Sequence, residues 1–199
     1  MKKIVFMFLA VSMAFAVRAQ VQFGVKAGVN VSSLTLSGAA SSGLSVSSKT
    51  DFNAGLLASV PLFSSCFLQP EVVYSGQGAS SDFAGVTVKL NYSYLNVPVL
   101  FKYKHETGLF AETGPQAGFL LSAKEKANGQ SMDAKDGTNS VDFSWAFGLG
   151  YMIPKINLGI DARYNLGLTN LNKDNSGGND GTVKNSVFQF GLFYLLGGK

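Results

Sequence analysis

Apolar and polar or small residues alternate through most of this chain, and that alternation limits what it can fold into. The stretch INLGIDARYNLGL, residues 156–168, has an apolar residue at every second position and a polar residue, charge or glycine between them. Residues 21–31 and 140–153 repeat the pattern. Side chains alternate between the two faces of a β-strand, so this period of two predicts strands with one apolar face and one polar or small face.

The alternating segments predict eight strands. Their bounds are 21–35, 51–62, 67–79, 87–104, 108–123, 140–153, 155–169 and 185–196. An even number returns the chain to the end at which it began, as a closed antiparallel barrel requires. We therefore predict an all-β fold, an eight-stranded antiparallel up-and-down transmembrane β-barrel.

The lengths of the connections support a membrane barrel over a soluble meander. Counted in chain order, the first, third, fifth and seventh connections are each longer than any of the connections between them. Their bounds are 36–50, 80–86, 124–139 and 170–184. A transmembrane barrel has short periplasmic turns and long external loops, whereas a soluble meander has no reason to gather its long loops at one end.

Side-chain size predicts which face points outward. The interior of an eight-stranded barrel is just wide enough to be filled by side chains, so inward positions favour small residues and a few long polar ones. The polar rows are rich in glycine: Gly24, Gly28, Gly55, Gly114, Gly118, Gly148, Gly150, Gly159, Gly167 and Gly191. The apolar rows carry the bulk: Phe23, Phe52, Leu56, Tyr74, Phe119, Phe143, Trp145, Phe147, Phe188, Phe190 and Tyr194. The bulky face therefore suits lipid.

Aromatic residues near the strand ends are typical of the girdles at the two membrane interfaces. The pattern predicts Tyr74, Tyr92 and Tyr94 at the external interface. At the periplasmic interface it predicts Phe101, Tyr103, Phe110 and Tyr151.

Asp161 and Arg163 lie one pleat apart on the polar face of their strand, so both are predicted to point into the lumen. The predicted set of lumen charges is Lys26, Glu71, Lys102, Glu112, Asp142, Asp161 and Arg163. Burying a charge without a partner is costly, and three cations with four anions can pair, so a salt-bridged structural plug is the favoured interpretation. Glu71 and Glu112 also fit an acid–base pair, which we regard as the lesser alternative.

The N-terminal segment 1–19 is typical of a secretory signal peptide. Lys2 and Lys3 precede an apolar run, 4–17, that is shorter than the roughly 20 residues of a spanning helix. Cleavage is predicted between Ala19 and Gln20. Residues 20–199 are then predicted to form the barrel domain. Removing the segment takes three of the 16 basic residues away, and the 13 that remain face 12 acidic residues. No basic stripe survives, so nucleic-acid binding is not predicted.

The sequence predicts no catalytic, cofactor or metal site. The sole histidine, His105, lies in the short turn HETG, far from the external side where the histidine of a barrel enzyme is expected. The sole cysteine, Cys66, cannot form an internal disulfide and lies far from the predicted cleavage site, where an acylated cysteine would stand.

Several segments resemble the outer-membrane β-barrel family that includes the PorT-type proteins. They are FGVKAGVNVSSL, YSYLNVPVLFKY, GLFAETGPQAGFLLSAK, VDFSWAFGLGYMI, LGIDARYNLGLTNL and NSVFQFGLFYLL. The resemblance implies a barrel in the lipid of the cell outer membrane; most members have no assigned activity, and some take part in protein secretion. One departure is the C-terminus, where Tyr194 is followed by LLGGK instead of a terminal aromatic. The barrel-assembly machinery is then expected to read Phe188, Phe190, Leu192 and Tyr194.

These observations favour a small outer-membrane barrel with a plugged lumen and a structural or partner-binding role at the cell envelope, with secretion implied by the resemblance. Protein partners are expected at the loops 36–50, 124–139 and 170–184. Two alternatives stay open at this point. One is a soluble lipocalin-like barrel that binds an apolar ligand inside, and the other is a narrow ion-leak pore.

Overall fold

The computed structural model describes residues 21–37, 46–83, 86–127, 130–153, 155–173 and 181–197. The segment 1–19, predicted as a signal peptide, lies outside these residues and stays a prediction. Within the described ranges, no helix is long and apolar enough to cross a membrane.

The described residues contain nine strands, eight of which close into a barrel. They are β1 (Gln22–Ser37), β2 (Val46–Phe63), β3 (Cys66–Phe83), β4 (Val86–Lys104), β5 (Leu109–Ala127), β6 (Gln130–Asp133), β7 (Val141–Ile153), β8 (Leu158–Gly167) and β9 (Thr182–Leu196). Antiparallel pairing runs β1–β2–β3–β4–β5–β7–β8–β9, and β9 pairs back onto β1. The short β6 pairs with the last residues of β5. The predicted eight-stranded antiparallel barrel is confirmed.

The two ends of the barrel differ. At the turn end, the short connections 64–65, 105–108 and 155–157 join neighbouring strands, and Phe23 of β1 lies opposite Leu196 of β9. Gly108 has a φ of 96°, and a Cβ there would overlap the carbonyl oxygen of Met152, so this turn requires glycine. The longer connections gather at the opposite end, which we call the loop end.

The predicted strand bounds were wrong at the loop end, where several strands continue further. β2 begins at Val46 instead of residue 51, β3 ends at Phe83 instead of 79, and β5 ends at Ala127 instead of 123. Residues such as Ser48 and Ser80 lack the alternating pattern, yet their backbones still join the ladder. Backbone pairing needs no apolar face, so polarity alternation misses these extensions. In contrast, β8 is shorter than the predicted 155–169.

The three predicted contact loops are correspondingly shorter. Loop 124–139 contains the end of β5 and all of β6, and strand residues also occupy 46–50 and 182–184. The remaining parts 38–45 and 174–180 lie outside the described residues. The loop end is therefore built largely from extended hairpins.

Bulky apolar side chains point outward, as the sequence predicts. On β7 the exposed residues Phe147 (52%) and Leu149 (67%) alternate with buried positions. The indole N–H of Trp145, also on this outer face, donates to Thr113 Oγ1 at 2.9 Å. The lipocalin-like alternative requires the apolar face inside, so this orientation excludes it.

Three of the predicted girdle aromatics are wrong, because they point into the barrel. Tyr92 and Tyr94 on β4 are buried, as is Phe110 on β5. Each shares its strand face with a buried charged residue, Lys102 on β4 and Glu112 on β5, and the period of two then places it inside. The outward-facing aromatics of the prediction are Tyr74, Phe101, Tyr103 and Tyr151.

Candidate functional site

Arg163 lies in the barrel lumen with its guanidinium between two carboxylates from other strands. It projects from β8 and is only 2% exposed. Nη1 and Nη2 donate to the two carboxylate oxygens of Glu71 on β3, both at 3.0 Å. Nε and Nη2 donate to Oε1 of Glu112 on β5 at 2.9 Å and 2.6 Å. Paired donation of this kind gives strong, directional bonds and holds both carboxylates in place.

Two lysines extend this arrangement along the lumen. Lys26 Nζ on β1 donates to Asp161 Oδ2 at 2.5 Å and lies 4.0 Å from Glu71 Oε2. Lys102 Nζ on β4 lies 3.1 Å from Glu112 Oε2. All five side chains are buried, so each charge has lost its contact with water and depends on these partners.

We call this group the ion network, and its members are Lys26, Glu71, Lys102, Glu112, Asp161 and Arg163. Three cations face three anions, so the ion network is formally neutral. Its residues come from five of the eight barrel strands, namely β1, β3, β4, β5 and, for the last two residues, β8. The network therefore ties together five strands, one of which supplies both Asp161 and Arg163.

Glycines on the neighbouring strands make room for the ion network. A Cβ at Gly148 would lie 2.8 Å from Cγ of Glu112. A Cβ at Gly191 would lie 2.7 Å from Oδ1 of Asp161 and 2.9 Å from Cε of Lys26. The glycine-rich inner rows are thus the space into which the long charged side chains fold.

The seventh predicted lumen charge, Asp142, lies apart from the ion network. It points inward from β7 and accepts a hydrogen bond from Asn185 Nδ2 at 2.8 Å. Among the described residues no cation lies within ion-pair distance of it. The sequence placed Asp142 on the correct face but did not give its level along the barrel axis.

Sequence reasoning missed the neutral polar residues that support the network. Gln69 Nε2 donates to Glu71 Oε1 at 2.6 Å. Towards the loop end, Asn30 donates to Ser75 Oγ at 2.9 Å and accepts from Asn53 Nδ2 at 2.8 Å. All four lie at inward positions of their strands, so the alternation that identified the charges could also have identified them.

Buried apolar side chains form a cluster at each end of the polar layer. The loop-end cluster comprises Leu34, Ala79, Tyr92, Tyr94, Leu120, Ala123 and Leu171. The turn-end cluster comprises Leu57, Phe110, Met152, Phe193 and Leu195. Lys102 Nζ lies 3.9 Å from the ring centroid of Phe110 and 4.7 Å from that of Phe193, so the ion network rests directly on the turn-end cluster.

His105 lies exposed in the 105–108 turn, where its Nδ1 is 2.9 Å from Thr107 Oγ1. It is at the turn end, away from the loop-end hairpins. In the described part of the chain, no group of three or more His, Cys, Asp and Glu side chains is placed to hold a metal ion.

A closed barrel with a bulky apolar exterior and a polar, charged interior is typical of bacterial outer membranes. Residues 15–173 match the model of a protein family described as "Outer membrane protein beta-barrel domain". The chain belongs to this family. It is therefore an outer-membrane barrel, and its exterior contacts outer-membrane lipid.

Two solved structures of other outer-membrane proteins have the same fold as this chain. Ail, the attachment invasion locus protein of Yersinia pestis, is 17% identical with a TM-score of 0.50, covering 88% of this chain and 98% of Ail. Neisserial surface protein A is 13% identical with a TM-score of 0.53, covering 86% of this chain and 96% of that protein. Among curated proteins, none matches the sequence. The family match is to outer-membrane barrels in general, and the PorT-type resemblance stays a prediction.

In an outer-membrane barrel the short turns face the periplasm and the longer loops face outward. The turn end, with His105 and the turn-end cluster, is therefore periplasmic. The loop end, with β6 and the extended hairpins, is external.

Proposed function

We propose that this outer-membrane barrel has a plugged lumen and serves a structural or partner-binding role at the cell envelope. The observation that carries the proposal is the ion network between two apolar clusters. Water and ions would have to pass both clusters and break buried ion pairs to cross.

The chemistry of the lumen supports a plug over the ion-leak alternative. Passage of an ion needs polar groups that are free to exchange partners, whereas Arg163 donates four hydrogen bonds to Glu71 and Glu112. Removing one member of a buried ion pair typically costs 3–5 kcal/mol. The intact network is therefore a barrier to conduction and a brace between strands.

Conductance across planar lipid bilayers tests the plug. The wild-type protein, refolded in detergent and inserted, is expected to give no stepwise current. The quadruple variant E71A/K102A/E112A/R163A empties the middle of the lumen by removing two anions with two cations. It leaves Lys26 paired with Asp161 and is expected to raise the leak. Lys155→Ala, in an exposed periplasmic turn, is the matched control. Regular current steps from the wild type would favour the ion-leak pore.

A partner-binding role is supported by the hairpins at the loop end. The exposed strand β6 extends the β5 hairpin on the external side, inside the loop 124–139. A photo-crosslinking residue at Gln130 is expected to capture a protein partner in intact cells, and one at Lys155 is the control. Crosslinked adducts from position 155 alone would contradict an external partner. If neither position gave an adduct, the structural role would be favoured over partner binding. A captured secretion component would support the role implied by the PorT-type resemblance.

Two further expectations belong to this proposal. A non-enzymatic role is supported by the periplasmic position of His105, far from the external side. Recognition by the barrel-assembly machinery is supported by the exposed outer face of β9, which carries Phe188, Phe190, Leu192 and Tyr194. Truncation after residue 187 is expected to abolish the heat-modifiable band of the folded barrel in cell envelopes.

A further inference from the structure

Four lysines gather on one outward-facing part of the loop end. Lys89 of β4 lies directly opposite Lys126 of β5, and Lys124 of β5 lies opposite Asn91 of β4. Lys135 follows β6, and its Nζ donates to the backbone oxygen of Leu121 at 3.2 Å. All four lysine side chains are exposed. We call this group, Lys89, Lys124, Lys126 and Lys135, the basic face.

A β-bulge creates the basic face. Ser93 of β4 pairs with Ser122 of β5, but the next residue of β4, Tyr94, pairs with Leu120, so Leu121 is an extra residue in β5. One extra residue exchanges the two faces of the strand beyond it. Even-numbered residues of β5 point into the lumen up to Leu120, whereas Lys124 and Lys126 point outward. Without the bulge, both ammonium groups would enter the lumen beside the loop-end cluster.

The basic face lies just beyond the apolar band of the barrel. Outward residues of β5 between Leu109 and Leu121 are mainly apolar. Twelve residues of strand rise about 40 Å, or about 30 Å along the membrane normal at a typical tilt, which spans the roughly 25 Å band of such barrels. Beyond this apolar band, towards the loop end, the strands continue with the pair Ser93 and Ser122 and then reach the lysines. Their ammonium groups therefore reach the headgroup level of the outer leaflet.

Among the described residues, no carboxylate forms an ion pair with the four lysines of this face. Lys26, Lys49 and Lys102 do lie within 4.0 Å of a carboxylate. Asp133 lies opposite Lys124, and its Oδ1 accepts the backbone N–H of Lys135 at 2.9 Å. Like charges placed directly opposite on a sheet, as Lys89 and Lys126 are, destabilise it unless an anion lies between them.

We propose that the basic face binds the phosphate groups of a phosphorylated glycolipid in the outer leaflet. Clustered lysines at a membrane surface attract anionic headgroups, and an ammonium group binds phosphate as a point charge. The exposed apolar residues of β5 next to the basic face, among them Phe119 and Leu121, would contact the acyl chains of the same molecule. This lipid ligand is independent of whether the lumen is plugged.

Native mass spectrometry of the refolded protein tests the proposal, in a maltoside detergent whose headgroup carries no phosphate. The probe is diphosphoryl lipid A, titrated against the wild type and the variant K89Q/K126Q. We expect the variant to bind about thirtyfold more weakly. The control Lys155→Gln and the charge-preserving K89R/K126R are expected to bind as the wild type does. A heat-modifiable gel shift verifies that each variant is folded.

Two results would overturn the assignment. One is equal affinity of the wild type and K89Q/K126Q for diphosphoryl lipid A. The other is retention of inorganic phosphate as strong as that of the lipid, which would make the ligand a soluble anion.

Discussion

Arg163 and Glu71 form a two-pronged ion pair across the full width of the barrel. Their strands, β8 and β3, are four places apart in the ring of eight, so they stand on opposite walls. The two hydrogen bonds, both 3.0 Å, join residues that are 92 positions apart in sequence. The pair therefore joins two facing walls of the barrel directly.

Replacing Arg163 with methionine should destabilise the barrel by about 3–5 kcal/mol, because Glu71 and Glu112 would stay buried without their common cation. The measurement is urea unfolding from lipid vesicles. Lys155→Met removes an exposed charge from a turn and should change stability by no more than about 0.5 kcal/mol. Equal midpoints for the two variants would mean that the ion network does not stabilise the fold.

Phe147→Arg should reduce the stability of the inserted barrel by about 2–4 kcal/mol, since it places a charge on the lipid face in the middle of β7. Asn165→Ser, on the lumen face of the neighbouring strand, should be nearly silent. Folding yields in lipid vesicles, read from unboiled gels, compare the two. If both variants lost the same yield, the assignment of faces would be contradicted.

Gly28→Ala should weaken the closure between β1 and β9 by about 1–3 kcal/mol. Gly28 lies opposite Gly191, and its new Cβ would overlap the carbonyl oxygen of Phe190 and lie 2.8 Å from Cα of Gly191. These are backbone atoms, so the strands must separate to relieve the contact. Gly137→Ala is the control, because a Cβ there meets no atom within 4 Å. Urea midpoints should fall for Gly28→Ala alone.

Trp145 is the only tryptophan and is exposed on the outer face, so its fluorescence should be quenched by lipids that carry bromine on their acyl chains. The matched control is W145F/F193W, in which the indole moves to an inward position within the turn-end cluster. Its emission should be quenched far less. Similar quenching of both proteins would contradict the orientation of β7 or β9.

The sequence predicts the faces well because each strand carries its own alternation. Glu71, Asp161 and Arg163 could be assigned to the lumen from their neighbours alone, since a strand has only two faces. The alternation of strand faces also places Tyr94 on the inward face, together with Lys102. The prediction assigned Tyr94 to the outer aromatic girdle because it considered the type of residue and not the face. Strand ends at the serine-rich extensions were missed, because there the backbone pairs without any contrast between the faces.

Alternation by itself thus determined that this chain forms a closed barrel with bulk outside and small or charged residues inside. Only the tertiary structure decided which lumen charges meet, because the stagger between paired strands sets the level of each residue along the axis. It groups Arg163 with Glu71 and Glu112 and leaves Asp142 apart. It also placed the bulge at Leu121 that turns Lys124 and Lys126 outward. A bulge depends on how two strands pair, so it cannot be located from the apolar–polar alternation of either strand alone.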